Sequence, residues 1–254
     1  MIARSGERIG RPARWAWLAV SILLLLSACS VNPLSRKYEY EEETYVNLDG
    51  SATVYVNAAV PALVALRGVD LPLDASARLD RNDVRAIFET PVSSVANVST
   101  SRREGRRYVH VRVEVADIRR LSEAGPFGWS TYGLSVANDA AEYTQLVGAS
   151  AGRVVPDVGW TGKELVVFRL HLPSRVTFHN SPSRDVRRGN IIIWEQPLAE
   201  RQRGTPIDIT VRMDSDSILA NTLLLFGAMI VLVIITFIGF VWFIRSRGRA
   251  EPSA

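Results

Sequence analysis

The sequence predicts an α+β fold, a mostly antiparallel β-sheet with a few short helices packed on one face, followed by one transmembrane helix. Three observations predict it. Apolar and polar residues alternate with period two over most of the stretch from Tyr38 to Met213, helical periodicity is confined to brief segments, and residues 218–244 carry no charge.

Strands come first. Residues 38–47 and 51–59 flank Leu48-Asp49-Gly50, where Asp-Gly signals a hairpin turn. In the second strand Ala52, Val54, Val56 and Ala58 share one face, with Thr53, Tyr55 and Asn57 on the other. A cleaner pair, 95–102 and 106–115, flanks Arg103-Glu104-Gly105. There Val109, Val111, Val113 and Val115 face one way while Tyr108, His110, Arg112 and Glu114 face the other, which describes a sheet with one packed and one wet face. Helices are expected over 60–68, with Pro61 in its first turn, and over 80–89, capped by Asp80 with Val84, Ile87 and Phe88 on its apolar side. A further turn is expected at 117–123. Strands resume near 129–135, 142–147, 165–172, 175–180, 190–196 and 205–213.

The two ends read as membrane segments. Arg4, Arg8, Arg11 and Arg14 precede an apolar or small run from Trp15 to Ala28, about 21 Å as a helix and short of the roughly 30 Å hydrocarbon core, which is the form of a secretory signal. That run ends in Leu26-Ser27-Ala28-Cys29, a lipobox-like sequence whose small residues would precede cleavage and whose Cys29 thiol would carry a diacylglyceryl anchor. Cys29 is the only cysteine of the chain, so no disulfide supports the domain. At the other end residues 218–244 reach about 40 Å as a helix, enough to span a bilayer. Asp214 and Asp216 precede this run, and Arg245, Arg247 and Arg249 follow it, so the positive-inside rule places the C-terminus in the cytoplasm. The organisation is then signal peptide 1–28, lipidated tether 29–36, extracytoplasmic domain 37–213, transmembrane helix 218–244 and cytoplasmic tail 245–254, in the bacterial cytoplasmic membrane with the domain facing the periplasm or the exterior.

Charge excludes one class of partner. The formal net charge is +4, but the arginines of the two ends account for all of it and leave the intervening domain slightly acidic. A nucleic-acid binder carries its positive charge on the folded surface, so no nucleic acid is expected. No H-E-x-x-H, P-loop or dinucleotide fingerprint is present. His110 and His171 read as solvated strand residues. His179, near Asp185 and Trp194, lacks a second histidine or cysteine at metal-ligand spacing. No catalytic residue, metal or cofactor is expected.

The remaining clusters are acidic and basic. Glu39, Glu41 and Glu43 would share one strand face opposite Glu42, as on an edge strand protected by charge. Arg102, Arg103, Arg106 and Arg107 flank a turn and are candidates for contact with anionic lipid headgroups or an acidic partner; Arg184, Arg187 and Arg188 form a second such set.

Val46-Asn47-Leu48-Asp49-Gly50-Ser51, Leu172-Pro173-Ser174-Arg175-Val176, Asn180, Gly189-Asn190 and Trp194 before Leu198 together resemble the LppM-like lipoproteins. The stretch from Pro126 to Trp160 has no counterpart in that pattern. The resemblance implies a helix-grip-like lipid-binding domain with an apolar cavity, associated with membrane glycolipids and not with catalysis. Phe178, Trp194, Ile87 and Phe88 are the candidates to line such a cavity. The expected function is a membrane-anchored, non-catalytic binding protein for a lipid or other apolar ligand, the alternative being a structural component that docks an envelope protein partner. Because the tether 30–37 spans at most about 28 Å, the first strand is expected to start close to where the last one finishes, an arrangement that would let the two be antiparallel sheet neighbours.

Overall fold

The structure, a computed structural model, describes residues 38–137, 139–215 and 218–247. The lipobox Leu26-Ser27-Ala28-Cys29, the tether and the end of the tail lie outside the described residues. Among the described residues, ten strands form two sheets. The six-stranded sheet has the order β3-β4-β2-β1-β7-β9, from Ser93–Arg103, Arg106–Val115, Ala52–Ala59, Tyr38–Val46, Leu165–His171 and Ile191–Pro197. The four-stranded sheet has the order β5-β6-β10-β8, from Ser130–Val136, Ala140–Val147, Ile207–Asp214 and Val176–His179. All described pairings are antiparallel except β1 with β7.

The expected elements form where their patterns place them. Ala52, Val54, Val56 and Ala58 are buried, as are Val109, Val111, Val113 and Val115 on the neighbouring β4. The hairpin β3–β4 turns through Glu104 and Gly105, both at positive φ (51° and 77°), a conformation in which glycine is unstrained. Helix α1 (Val60–Arg67) starts with proline in its first turn and is buried along nearly its whole length. Helix α2 (Arg81–Phe88) is capped by Asp80, whose carboxylate accepts from Asn82 N at 2.8 Å, and buries Val84 and Phe88 against the β3 edge. Asp117 caps a 3-10 helix over Ile118–Glu123 in the same way. A five-residue α3 (Leu198–Gln202) follows β9.

With helices this short, the inner face of the larger sheet is covered jointly by α1, by the 3-10 turns and by the smaller sheet. Tyr132 of β5 and Gln145 of β6 reach across to Glu42 of β1. Trp129 packs on Tyr40 and Phe168, with centroids 5.6 and 6.0 Å away.

Two expectations are corrected. β1 is not an edge strand but a central one, between β2 and β7. Its carboxylates are therefore distributed by the pleat: Glu42 points into the core, whereas Glu41 and Glu43 meet Arg169 and His171 across the outer face. A register shift between Tyr38 and Tyr40 removes Glu39 from that outer set and buries it against Arg106, Tyr108 and Trp160. Nor are the first and last strands neighbours. Tyr45 pairs with His171, and the chain turns there into Arg175, whose carbonyl accepts from Asp214 N at 3.0 Å. β10 thus finishes at the end of the molecule where β1 finishes, one strand length from Tyr38.

Helix α4 (Ile218–Arg247) follows β10. Its segment Thr222–Arg245 has a mean hydropathy of 2.9, and none of it is buried against the domain. A helix this apolar and unburied is not a soluble core helix; it is long enough and greasy enough to cross a membrane.

Candidate functional site

The end of the molecule that contains Tyr38 gathers a local set of arginines. The β3–β4 hairpin tip is there, since Arg103 donates to the Tyr38 carbonyl at 3.3 Å. The four arginines proposed from sequence divide into two pairs. Arg106 ion-pairs with buried Glu39 at 3.1 Å, and Arg103 stacks on Tyr108 and donates to its hydroxyl at 2.9 Å. Arg102 and Arg107 turn the other way. They border a concavity of about 830 Å³ together with Arg78, Arg81, Asn82, Thr100 and Ser101. Among the described residues, Asp80 is the only carboxylate on its wall. Arg107 is nearly buried and donates to the carbonyls of Ala77 and Pro72, which ties the 69–80 segment to β4. Burial, and then the Arg102 charge beside it, hold the Arg107 guanidinium below its ordinary pKa. The Asp74 carboxylate opposes the shift. Sequence reasoning missed Arg78 and Arg81, because only the fold of the 69–80 segment brings them to the hairpin.

The four candidate cavity residues do not converge. Ile87 and Phe88 lie on α2 beside β3, whereas Trp194 is on β9 at the opposite edge of the six-stranded sheet. Phe88 packs on Phe127 at 5.9 Å, Trp194 donates to Asn180 at 3.2 Å, and Phe178 is 48% exposed on the edge strand β8. Five strand spacings, about 24 Å, separate the two edges, so these side chains line no common cavity.

The interior is polar at its centre. Glu42, 1% exposed, accepts from Tyr40 (2.9 Å), Gln145 (3.0 Å) and Tyr132 (3.2 Å), and ion-pairs with Arg67. Burial pushes the hydroxyls of Tyr40, Tyr132 and Tyr143 well above their usual range, so they serve as protonated donors. Arg67 lies 3.7 Å from the Trp129 ring centroid and Arg201 lies 5.3 Å from it. Neither arginine is distinguishable from a surface residue in the sequence.

The three histidines make local contacts. His110 bridges Asn57 and Ser101 at 2.9 and 2.8 Å, and His171 meets Glu43 at 2.5 Å while stacked on Tyr45. His179 Nδ1 accepts only the Ser181 N–H. One string, Gly148-Ala149-Ser150-Ala151-Gly152, fits G-x-S-x-G. A nucleophile elbow needs a strand-to-helix turn. Here β6 runs into an extended segment instead, and Ser150 donates to the Gln202 carbonyl at 3.3 Å.

No family model matches the chain, and no curated protein matches it. Among solved structures it is similar to the folded domain of the Mycobacterium tuberculosis LppM protein, at 13% identity over 72% of this chain and 94% of that one. The TM-score is 0.38. A likeness that loose leaves fold and function to rest on this chain's own residues.

Proposed function

We propose that this chain is a non-catalytic binding module of the bacterial envelope, anchored by α4 and by an acylated Cys29, whose ligand is a lipid with an anionic head. The observation that supports this most is the 830 Å³ concavity edged by Arg78, Arg81, Arg102 and Arg107. Its size suits one headgroup, and each basic residue near an anionic lipid surface contributes about 1 kcal/mol. The domain as a whole is slightly acidic, so this concentration of arginine is local.

The test is native mass spectrometry of the detergent-extracted full-length protein. The wild type should retain a noncovalent anionic lipid that Arg81→Gln/Arg102→Gln loses. No lipid beyond the covalent acyl chains, or an equal adduct in the double variant, overturns the reading. A second reading, docking of an envelope protein partner, has one observation of its own: β8 leaves the exposed Phe178 on the outer edge of the smaller sheet. Photo-crosslinking from position 178 to one protein, with no lipid retained, would favour it.

A further inference from the structure

Two guanidinium groups and one carboxylate are buried around the Trp129 ring, between the sheets. Glu42 answers Arg67. Arg201 is fully buried and donates to the neutral carbonyls of Val147 and Gly148, and no carboxylate among the described residues lies within ion-pair distance of it. The cluster therefore holds an excess positive charge.

Its unused hydrogen-bonding capacity has the same sign. Among the described residues, Arg67 Nη1, Arg201 Nε, Trp129 Nε1 and Ser130 Oγ are all buried without a partner. The first three can only donate, and the fourth is a hydroxyl that can do so. They belong to two arginines that share one indole face or edge, to that indole itself and to the residue that follows it. A buried water accepts two hydrogen bonds and adds no charge, so it would satisfy part of the geometry and none of the electrostatics.

We propose that Arg67, Arg201 and Trp129 bind a small oxyanion, a carboxylate or phosphate group, in the interior of the domain. A planar guanidinium presents paired N–H groups that match such an oxyanion. Burial and the neighbouring Arg67 both lower the proton affinity of Arg201, an effect that a bound anion would oppose. Ala65 on α1 and Gln202 on α3, close in sequence to the two arginines, line a concavity of about 380 Å³ with Gly152–Val158 and Trp160. The segment that roofs it is strapped to α1 by Ala151 N on the Leu66 carbonyl (2.8 Å) and by Arg153 on the carbonyls of Gly68 and Val69. That strap falls within the stretch that the family pattern leaves unmatched. This site is separate from the arginine-lined concavity of the proposed headgroup contact.

The experiment titrates full-length protein in detergent with sodium phosphate, sodium acetate and dihexanoyl phosphatidic acid, against sodium chloride at equal ionic strength. It reads the unfolding midpoint and, for phosphate, the 31P linewidth. Wild type should show a saturable rise of several degrees with at least one oxyanion. Arg201→Met, which keeps volume without charge, should lose at least tenfold in apparent affinity. Trp129→Phe, which keeps an aromatic ring but not the indole N–H, should bind more weakly, and both losses should also be seen in an Arg81→Gln/Arg102→Gln background, in which the proposed headgroup contact is removed. A response to phosphate or acetate identifies a free anion; a response to phosphatidic acid alone identifies a lipid-borne one. No response to any of the three, or an undiminished response in Arg201→Met and Trp129→Phe, overturns the proposal.

Discussion

Arg67 lies 3.7 Å from the Trp129 ring centroid while its Nη2 donates to Glu42, so one buried cation serves an aromatic face from the smaller sheet's side and a carboxylate from β1. Glu42 in turn accepts from Tyr132 and Gln145 on β5 and β6. The contact between the two sheets is therefore polar at its centre and aromatic around it. That arrangement makes the interface sensitive to single changes at its charged members.

Glu42→Gln should destabilise the domain by about 3–5 kcal/mol, because it leaves Arg67 buried opposite a neutral amide and weakens three further hydrogen bonds. Urea unfolding followed by tryptophan fluorescence measures it. A loss under 1 kcal/mol would mean that water reaches the pair.

Gly148→Ala should cost about 1–3 kcal/mol. An added Cβ at Gly148 would stand 2.9 Å from the Trp129 carbonyl oxygen, to which Gly148 N already donates at 2.7 Å, and backbone on both sides has little room to yield. The same unfolding assay checks it, and a variant as stable as wild type would show that the two segments can separate without cost.

The Glu43–His171 pair carries a pH signature. The hydrogen bond from His171 pulls Glu43 below its ordinary value of 4.5, against the opposing effect of burial. A carboxylate whose pKa falls on folding contributes stability that is present above 4.5 and lost as pH drops through the folded value. Glu43→Gln should therefore be less stable than wild type at pH 7, and the gap should narrow as pH falls below 4.5. Paired denaturation curves at pH 7 and at acid pH test this; a gap independent of pH would rule the linkage out.

Leu232→Arg places a charge in the middle of α4, where insertion costs about 2.5–3.5 kcal/mol. With Cys29 intact the variant should still fractionate with membranes, held by the acyl chain. Combined with Cys29→Ala it should be released by carbonate extraction. Release of Leu232→Arg alone would show that Cys29 anchors nothing.

Local structure was legible wherever a residue's neighbours in the chain decide its conformation. Asp80 and Asp117 cap because a short carboxylate reaches the N–H two residues on. The β3–β4 turn is marked by Gly105, and the buried valines of β4 by their period of two. The acidic strand was misread for an equally physical reason. Alternation tells which carboxylates share a face, and does not tell whether the strand lies at an edge or between two neighbours.

The site was the least legible part. Arg102 and Arg107 were found as a cluster, but Arg103 and Arg106 in the same cluster serve Tyr108 and Glu39. Arg67 and Arg201, separated by more than a hundred residues, look like surface arginines until the sheets pack and enclose them.

By itself, then, the sequence determined the strands, the capped helices, the turn residues and the apolar α4, since each depends on propensity, capping or hydropathy read over a few neighbouring positions. Only the tertiary structure decided that β7 inserts beside β1, that Glu42 faces inward to meet Arg67, and that β10 ends a strand length away from Tyr38. Those outcomes depend on which distant segments pair, a choice made by the packing of whole faces against the entropy of closing long loops, and no local pattern encodes it.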